Sequence, residues 1–94
     1  MHVVIHCVDK ADHQAVRLEN REAHLAYLGG FKDQIVAAGP TLNEAGDGMT
    51  GSVLVMEFAD RAAAEAFCAG DPYAKAGLFQ STTILPWKKV LPKE

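Results

Sequence analysis

Ser52-Val53-Leu54-Val55-Met56-Glu57-Phe58-Ala59 is the stretch from which the fold can be read. Side chains along a strand alternate between faces, so Leu54, Met56 and Phe58 point one way while Val53 and Val55 point the other. Both faces of this strand are therefore largely apolar, and a single layer of helices covers only one of them. A two-layer sheet normally shows water a polar second face, so an apolar one predicts that something packs against it. Another copy of the same sheet is the economical candidate, giving a two-fold, face-to-face homodimer.

Upstream of that strand, His2 to Val8 reads as a first strand, with Val3, Ile5 and Cys7 on one side and His2, Val4, His6 and Val8 on the other. After the polar break Asp9-Lys10-Ala11-Asp12, the spacing predicts a helix from about Gln14 to Ala38. Its core stripe is His24, Leu28, Phe31, Ile35 and Ala38. Gly39-Pro40 is expected to stop this helix, and Gly29-Gly30 inside it costs about 1 kcal/mol per glycine, which predicts a kink or a close backbone contact. A short strand around Pro40–Asn43 and a Gly- and Asp-rich hairpin loop, Glu44 to Gly51, lead into the third strand. No Gly-Lys-Ser/Thr follows those glycines, so the loop is not a phosphate cradle.

Downstream, Asp60 is placed to cap a helix over Arg61–Ala69, and Gly70 ends it. Asp71-Pro72-Tyr73 opens a short helical turn reaching Ala76 or Gly77, and Phe79 to Val90 reads as a last strand bent at Pro86. The order β-α-β-β-α-β makes residues 1–94 one α+β domain of ferredoxin-like, two-layer type. The chain has 94 residues, enough for one hydrophobic core and too few for two.

Composition narrows the function. A 49% hydrophobic and 22% charged chain packs, and a net charge of -3 with scattered Lys and Arg offers nothing to a phosphate backbone, so nucleic acid is not an expected partner. The opening Met1–Val8 stretch has no basic flank and is too short for a signal peptide or a span, so no membrane association and a cytoplasmic location are expected. Cys7 and Cys68 form no Cys-x-x-Cys pair and read as buried free thiols.

The residue with most chemical content is His24, because the stripe places an imidazole against the sheet rather than in water. Arg17, Arg21, His24 and Leu28 share one helix face, and such a cationic patch suits a carboxylate or phenolate ligand. The plainer alternative is a satisfied, partly buried histidine flanked by two snorkelling arginines. Asp71 has a complete local role as a helix cap before Pro72, yet a capping carboxylate can spare an oxygen for an imidazole, fixing its tautomer. His2 and His6 are about 13 Å apart along a strand, too far to share a metal ion, and no metal site is expected. Ser52 lies at a strand start and not in a G-x-S-x-G elbow, so it reads as a strand-end or pocket hydroxyl and not a nucleophile.

The ordered set Arg17, Arg21, His24-Leu25-Ala26-Tyr27-Leu28, Gly39-Pro40, Gly51-Ser52, Asp71-Pro72-Tyr73 with Ala76-Gly77-Leu78, and Pro86-Trp87 resembles the YCII-related (YciI-like) family. The match runs over nearly the whole chain. The resemblance implies a dimeric α/β barrel, the class that includes muconolactone isomerases and small cofactor-free monooxygenases. It also implies a His–Asp pair in a cleft, carried over onto His24 and Asp71. One characterised branch is similar to a dehydrochlorinase acting on a chlorinated hydroxyhydroquinone, with that pair as acid and base.

The resulting expectation is an enzyme of lyase or isomerase type that moves a proton on a small anionic or phenolic metabolite, without metal or organic cofactor. His24 would be the acid or base, Asp71 its orienting carboxylate, and Arg17 or Arg21 an anion contact. Ser52, Tyr73 and Trp87 are expected pocket walls. The alternative is a non-catalytic dimeric domain that binds a small molecule in the same cleft.

Overall fold

A computed structural model describes residues 1–93. Strand β1 (His2–Asp9) buries Val3, Ile5 and Cys7 and leaves His6 and Val8 in the open, as its alternation requires. It occupies the middle of the sheet. Strand β3 (Met49–Glu57) pairs antiparallel with one side of it, setting Leu54 opposite Ile5 and Val53 opposite His6. Strand β4 (Phe79–Trp87) pairs antiparallel with the other, and strand β2 (Ile35–Leu42) closes the far edge against β3. The order β2-β3-β1-β4 is the ferredoxin-like arrangement.

Helices α1 (Gln14–Gly29) and α2 (Arg61–Gly70) cover one face, and Leu28, Ala64 and Phe67 join Val3, Ile5, Leu54, Met56 and Phe58 in the core. Asp60 caps α2 by accepting the Ala63 N–H at 2.8 Å, a contact worth about 1 kcal/mol. A four-residue helix, α3 (Pro72–Lys75), follows directly. No helix among the described residues is long and apolar enough to cross a membrane.

The long first helix of the sequence reading is corrected by the structure. α1 ends at Gly29, a 3-10 turn takes up Lys32–Gln34, and Ile35 and Ala38 lie in β2 rather than on the helix stripe. Two adjacent glycines make continuation of the helix costly. The β-branched pair Ile35-Val36 then gains a ladder against β3, where Ala38 pairs with Leu54. Gly39-Pro40 accordingly sits inside an edge strand, where a proline without an N–H is tolerated, and does not terminate a helix.

The second face of the sheet carries Val8, Val53 and Leu85, exposed by 36%, 36% and 55%. These side chains share the face with the polar His6, Glu57 and Thr83, so it is mixed, with apolar positions where strand alternation puts them.

Candidate functional site

One end of the helix-covered layer is built from polar side chains. Gly70 allows this: a Cβ there would stand 2.5 Å from the Tyr27 hydroxyl, so only a glycine lets the end of α2 lie this close to α1. Tyr27 Oη donates to the Phe67 carbonyl at 2.8 Å and fastens the two helices together. The next residue, Asp71, caps α3 by accepting the Tyr73 N–H at 2.9 Å. The same oxygen, Oδ1, lies 2.8 Å from Nδ1 of His24 on α1.

His24 and Asp71 are buried, at 7% and 4% exposure. A carboxylate oxygen that already accepts one N–H has acceptor capacity only, so Nδ1 of His24 carries the hydrogen and donates it. The ring is fixed a second time by stacking on Tyr73, with centroids 3.9 Å apart and planes 12° from parallel. Nε2 has no protein hydrogen-bond partner among the described residues, and His24 lines a cavity of about 220 Å³. The cavity is bounded by α1, by Pro40 and Ala38 of β2, and by Ser52 and Leu54 of β3. Asp71 stands behind the imidazole and does not reach the wall.

Arg17 also lines this cavity, yet it is only 2% exposed and heavily engaged. Its Nε donates to Asp9 Oδ2 at 2.7 Å, and Nη2 donates to Asp9 Oδ1 at 2.9 Å and to Ser52 Oγ at 3.0 Å. Its guanidinium carbon stands 4.6 Å from the centre of the Tyr73 ring. Burial disfavours the guanidinium charge, but the hydrogen bonds and negative charge of Asp9 outweigh it and hold the group above its ordinary pKa. Burial likewise raises the Tyr73 phenol despite the opposing pull of Arg17, so that hydroxyl stays neutral near pH 7.

Six of the seven residues expected from sequence meet at this cavity or directly behind it: His24, Asp71, Arg17, Ser52, Tyr73 and Arg21, the last exposed on the wall. Trp87 is not brought there. It ends β4 on the outward side, edge-on to His2 at 6.0 Å, and lines a separate groove with Lys88 and Lys93. The two arginines expected as alternative anion contacts differ in their surroundings: Asp9 pairs with Arg17 within the fold, and Arg21 stands exposed on the wall.

In the sequence Asp9 stands out only as part of the polar break Asp9-Lys10-Ala11-Asp12. A signal for it existed, because an arginine on a core-facing helix stripe requires a buried carboxylate somewhere. Among the described residues, no cluster of three or more His, Cys, Asp or Glu side chains has metal-binding proximity.

Comparison with known proteins gives a consistent set of relatives. A family model described as the YCII-related domain matches residues 1–88. The protein YciI of Escherichia coli is 40% identical over 94 residues, which covers 93% of this chain and 96% of the relative. An uncharacterized protein of Haemophilus influenzae is 34% identical, covering 96% and 99%. Among solved structures, a 5-chloro-2-hydroxyhydroquinone dehydrochlorinase from Burkholderia phenoliruptrix, in complex with 2,5-dihydroxybenzoquinone, superposes with a TM-score of 0.90. It is 39% identical, with 94% of each chain covered. An antibiotic biosynthesis monooxygenase shares the fold alone, at a TM-score of 0.55 and 17% identity over 95% of this chain and 97% of that one.

Proposed function

Because the chain belongs to the YCII-related domain family, we propose that it is a small-molecule enzyme of lyase or isomerase type in which His24 exchanges a proton with an anionic or phenolic metabolite. The single observation that carries this reading is the 2.8 Å contact between His24 Nδ1 and Asp71 Oδ1 at the edge of a ligand-sized cavity. With its hydrogen on Nδ1 donated to Asp71, the imidazole keeps a lone pair on Nε2, the nitrogen with no protein partner. Nε2 takes a proton from a substrate hydroxyl or an acidified C–H, and the electron pair of the broken bond stays on the substrate. Asp71 then faces an imidazolium, whose charge it offsets. The proton returns at another position in an isomerisation, or the pair expels an anionic leaving group in an elimination. Arg21 offers the substrate its cationic contact at the mouth.

The dehydrochlorinase relative acts on a chlorinated hydroxyhydroquinone, which makes that compound the first substrate to try. Replacing His24 by Ala is expected to lower turnover at least a hundredfold, the usual contribution of a positioned acid or base, while the chain stays folded. Turnover retained by a folded His24→Ala chain would sink the role.

The reading includes assembly. The outward sheet face that exposes Val8, Val53 and Leu85 is covered by the same face of a second copy, giving a sheet-to-sheet dimer. Sedimentation at micromolar concentration is expected to give twice the chain mass; a monomeric mass would remove the dimer and leave the cavity chemistry untouched.

A further inference from the structure

We propose that Ser52 is a hydrogen-bond donor to a developing oxyanion in the cavity, and that Asp9 and Arg17 are positioning residues that set its hydroxyl for this task. The inference rests on the proton-transfer reading and specifies its substrate class.

The argument is one of donor and acceptor counting. A guanidinium carries only donors, so in the 3.0 Å contact between Arg17 Nη2 and Ser52 Oγ the serine oxygen must accept. Its single hydrogen is therefore left over. No acceptor among the described residues takes it, and Ser52 lines the same cavity as His24 while being only 4% exposed. The hydrogen belongs to whatever occupies the cavity.

The orientation is held in advance. Asp9 grips Arg17 through two oxygens at 2.7 and 2.9 Å, and the two side chains are 7% and 3% exposed, so the fork cannot swing away. A hydroxyl that accepts from a cation is also a stronger donor, since the two hydrogen bonds polarise one another. Donors fixed before charge develops need no reorganisation when it does, which is what stabilises an oxyanion. Gly51 contributes by packing tightly: a Cβ there would collide with the Cys7 carbonyl, so glycine lets β3 lie flush on β1 and seats Ser52 at this depth.

The helix wall thus offers an acceptor, His24 Nε2, and the sheet wall offers a donor, Ser52 Oγ–H. A fitting molecule presents an acidic hydroxyl or C–H on one side and a conjugated oxygen on the other, as in a hydroxyquinone or another vinylogous acid. When the proton passes to Nε2, the O–H or C–H bond breaks and an N–H bond forms. The released pair moves through the conjugated system onto the oxygen held by Ser52, and nothing is oxidised or reduced.

The test uses the full chain and two probes: 2,5-dihydroxybenzoquinone, and 1,4-dihydroxybenzene, which lacks the quinone oxygens. Ser52→Ala is expected to weaken binding of the quinone ten- to a hundredfold, the range for a hydrogen bond to a charged group, while changing that of the hydroquinone less than twofold. Asp9→Asn is expected to give the same selective loss, and the double variant no further loss, because all three residues act through one hydroxyl. If Asp9→Asn does not fold, Arg17→Lys keeps the charge, removes the fork and is expected to give the same selective loss.

Equal weakening of both probes, or quinone binding within twofold of the parent in Ser52→Ala, overturns the oxyanion role. Additive losses in the double variant overturn the positioning role of Asp9. The outcomes separate this inference from the reading beneath it: loss of turnover in His24→Ala alongside unchanged quinone binding in Ser52→Ala removes Ser52 alone. A parent chain that binds neither probe and turns over no hydroxyhydroquinone removes both.

Discussion

The part of α1 up to His24 and its last turn lie against the same sheet and do opposite things. The first turns Arg17 and His24 inward, and each meets a carboxylate from another segment, Asp9 from the end of β1 and Asp71 from the junction of α2 and α3. The second turns in Tyr27 and Leu28, and just past its end Phe31 joins Phe67 and Phe58. There the rings sit 4.8 to 5.4 Å apart in tilted, edge-on and stacked pairs. The difference teaches where stability and chemistry come from. Area removed from water is gained at the aromatic end. The polar end carries a buried Arg17–Asp9 ion pair and a buried His24–Asp71 hydrogen bond, whose desolvation offsets much of their attraction, so they are weak evidence for stability and better evidence for a task.

The sharpest way to break that division is to delete Phe67, which contacts Tyr27, Phe31 and Phe58 at once. Phe67→Ala is expected to cost about 3–5 kcal/mol of unfolding free energy, because the cavity left among rigid rings collapses poorly. Urea unfolding measures it. A loss below about 1 kcal/mol would mean that the aromatic end is not where stability is concentrated.

At the other end, Asp71→Asn separates a cap from a catalytic partner. An asparagine oxygen still accepts the Tyr73 N–H, and Asn caps helices about as well as Asp, so the unfolding midpoint is expected to move little. The amide cannot offset an imidazolium charge, and turnover is expected to fall about a hundredfold. A large drop in stability with turnover intact would reverse the assignment and make the polar end a structural brace.

This contrast also explains what the sequence made legible. Alternation in β1 and β3 was readable because one face of each is buried, and a slip of one residue would expose Val3, Ile5, Leu54 and Met56 together. His24 was readable for a similar reason, as a polar residue on an apolar stripe. The extent of α1 was not: Ile35 and Ala38 continue the helical spacing by coincidence, and only the ladder to β3 decides that they form a strand. Asp9 was hidden because its partner lies eight residues away across a turn, and a turn aspartate looks the same whether or not it holds a buried arginine. Trp87 was placed in the cavity on the strength of resemblance. The parity of β4 argued otherwise, since Ile84 pairs with the inward Ile5 and Trp87 pairs with the outward-facing His2.

The smallest expected effect tests where the boundary between the two ends runs. Cys7, beneath the helices, and Cys68, on α2, stand near that boundary, and burial pushes their thiols up to about 11 and about 12 from an ordinary 9.0. For Cys7 the Thr82 hydroxyl, which donates to Sγ at 3.8 Å, pulls the other way without prevailing. The sign follows from proton counting. Between pH 9 and 11 the unfolded chain loses thiol protons that the folded chain keeps, so stability is intact below pH 9 and declines as pH rises through the folded values. For buried Cys7 the expected loss at pH 9.5 is about 1 kcal/mol or less, read from urea midpoints of the parent against Cys7→Ala. Alkylation of the folded chain at pH 8 is expected to be slow for the same reason, since the thiolate is the reactive form. If Cys7 instead titrated near 9 and reacted like a free thiol, water would reach from the polar cavity to the middle of the sheet. The dry end would then begin at Leu28 rather than at Cys7.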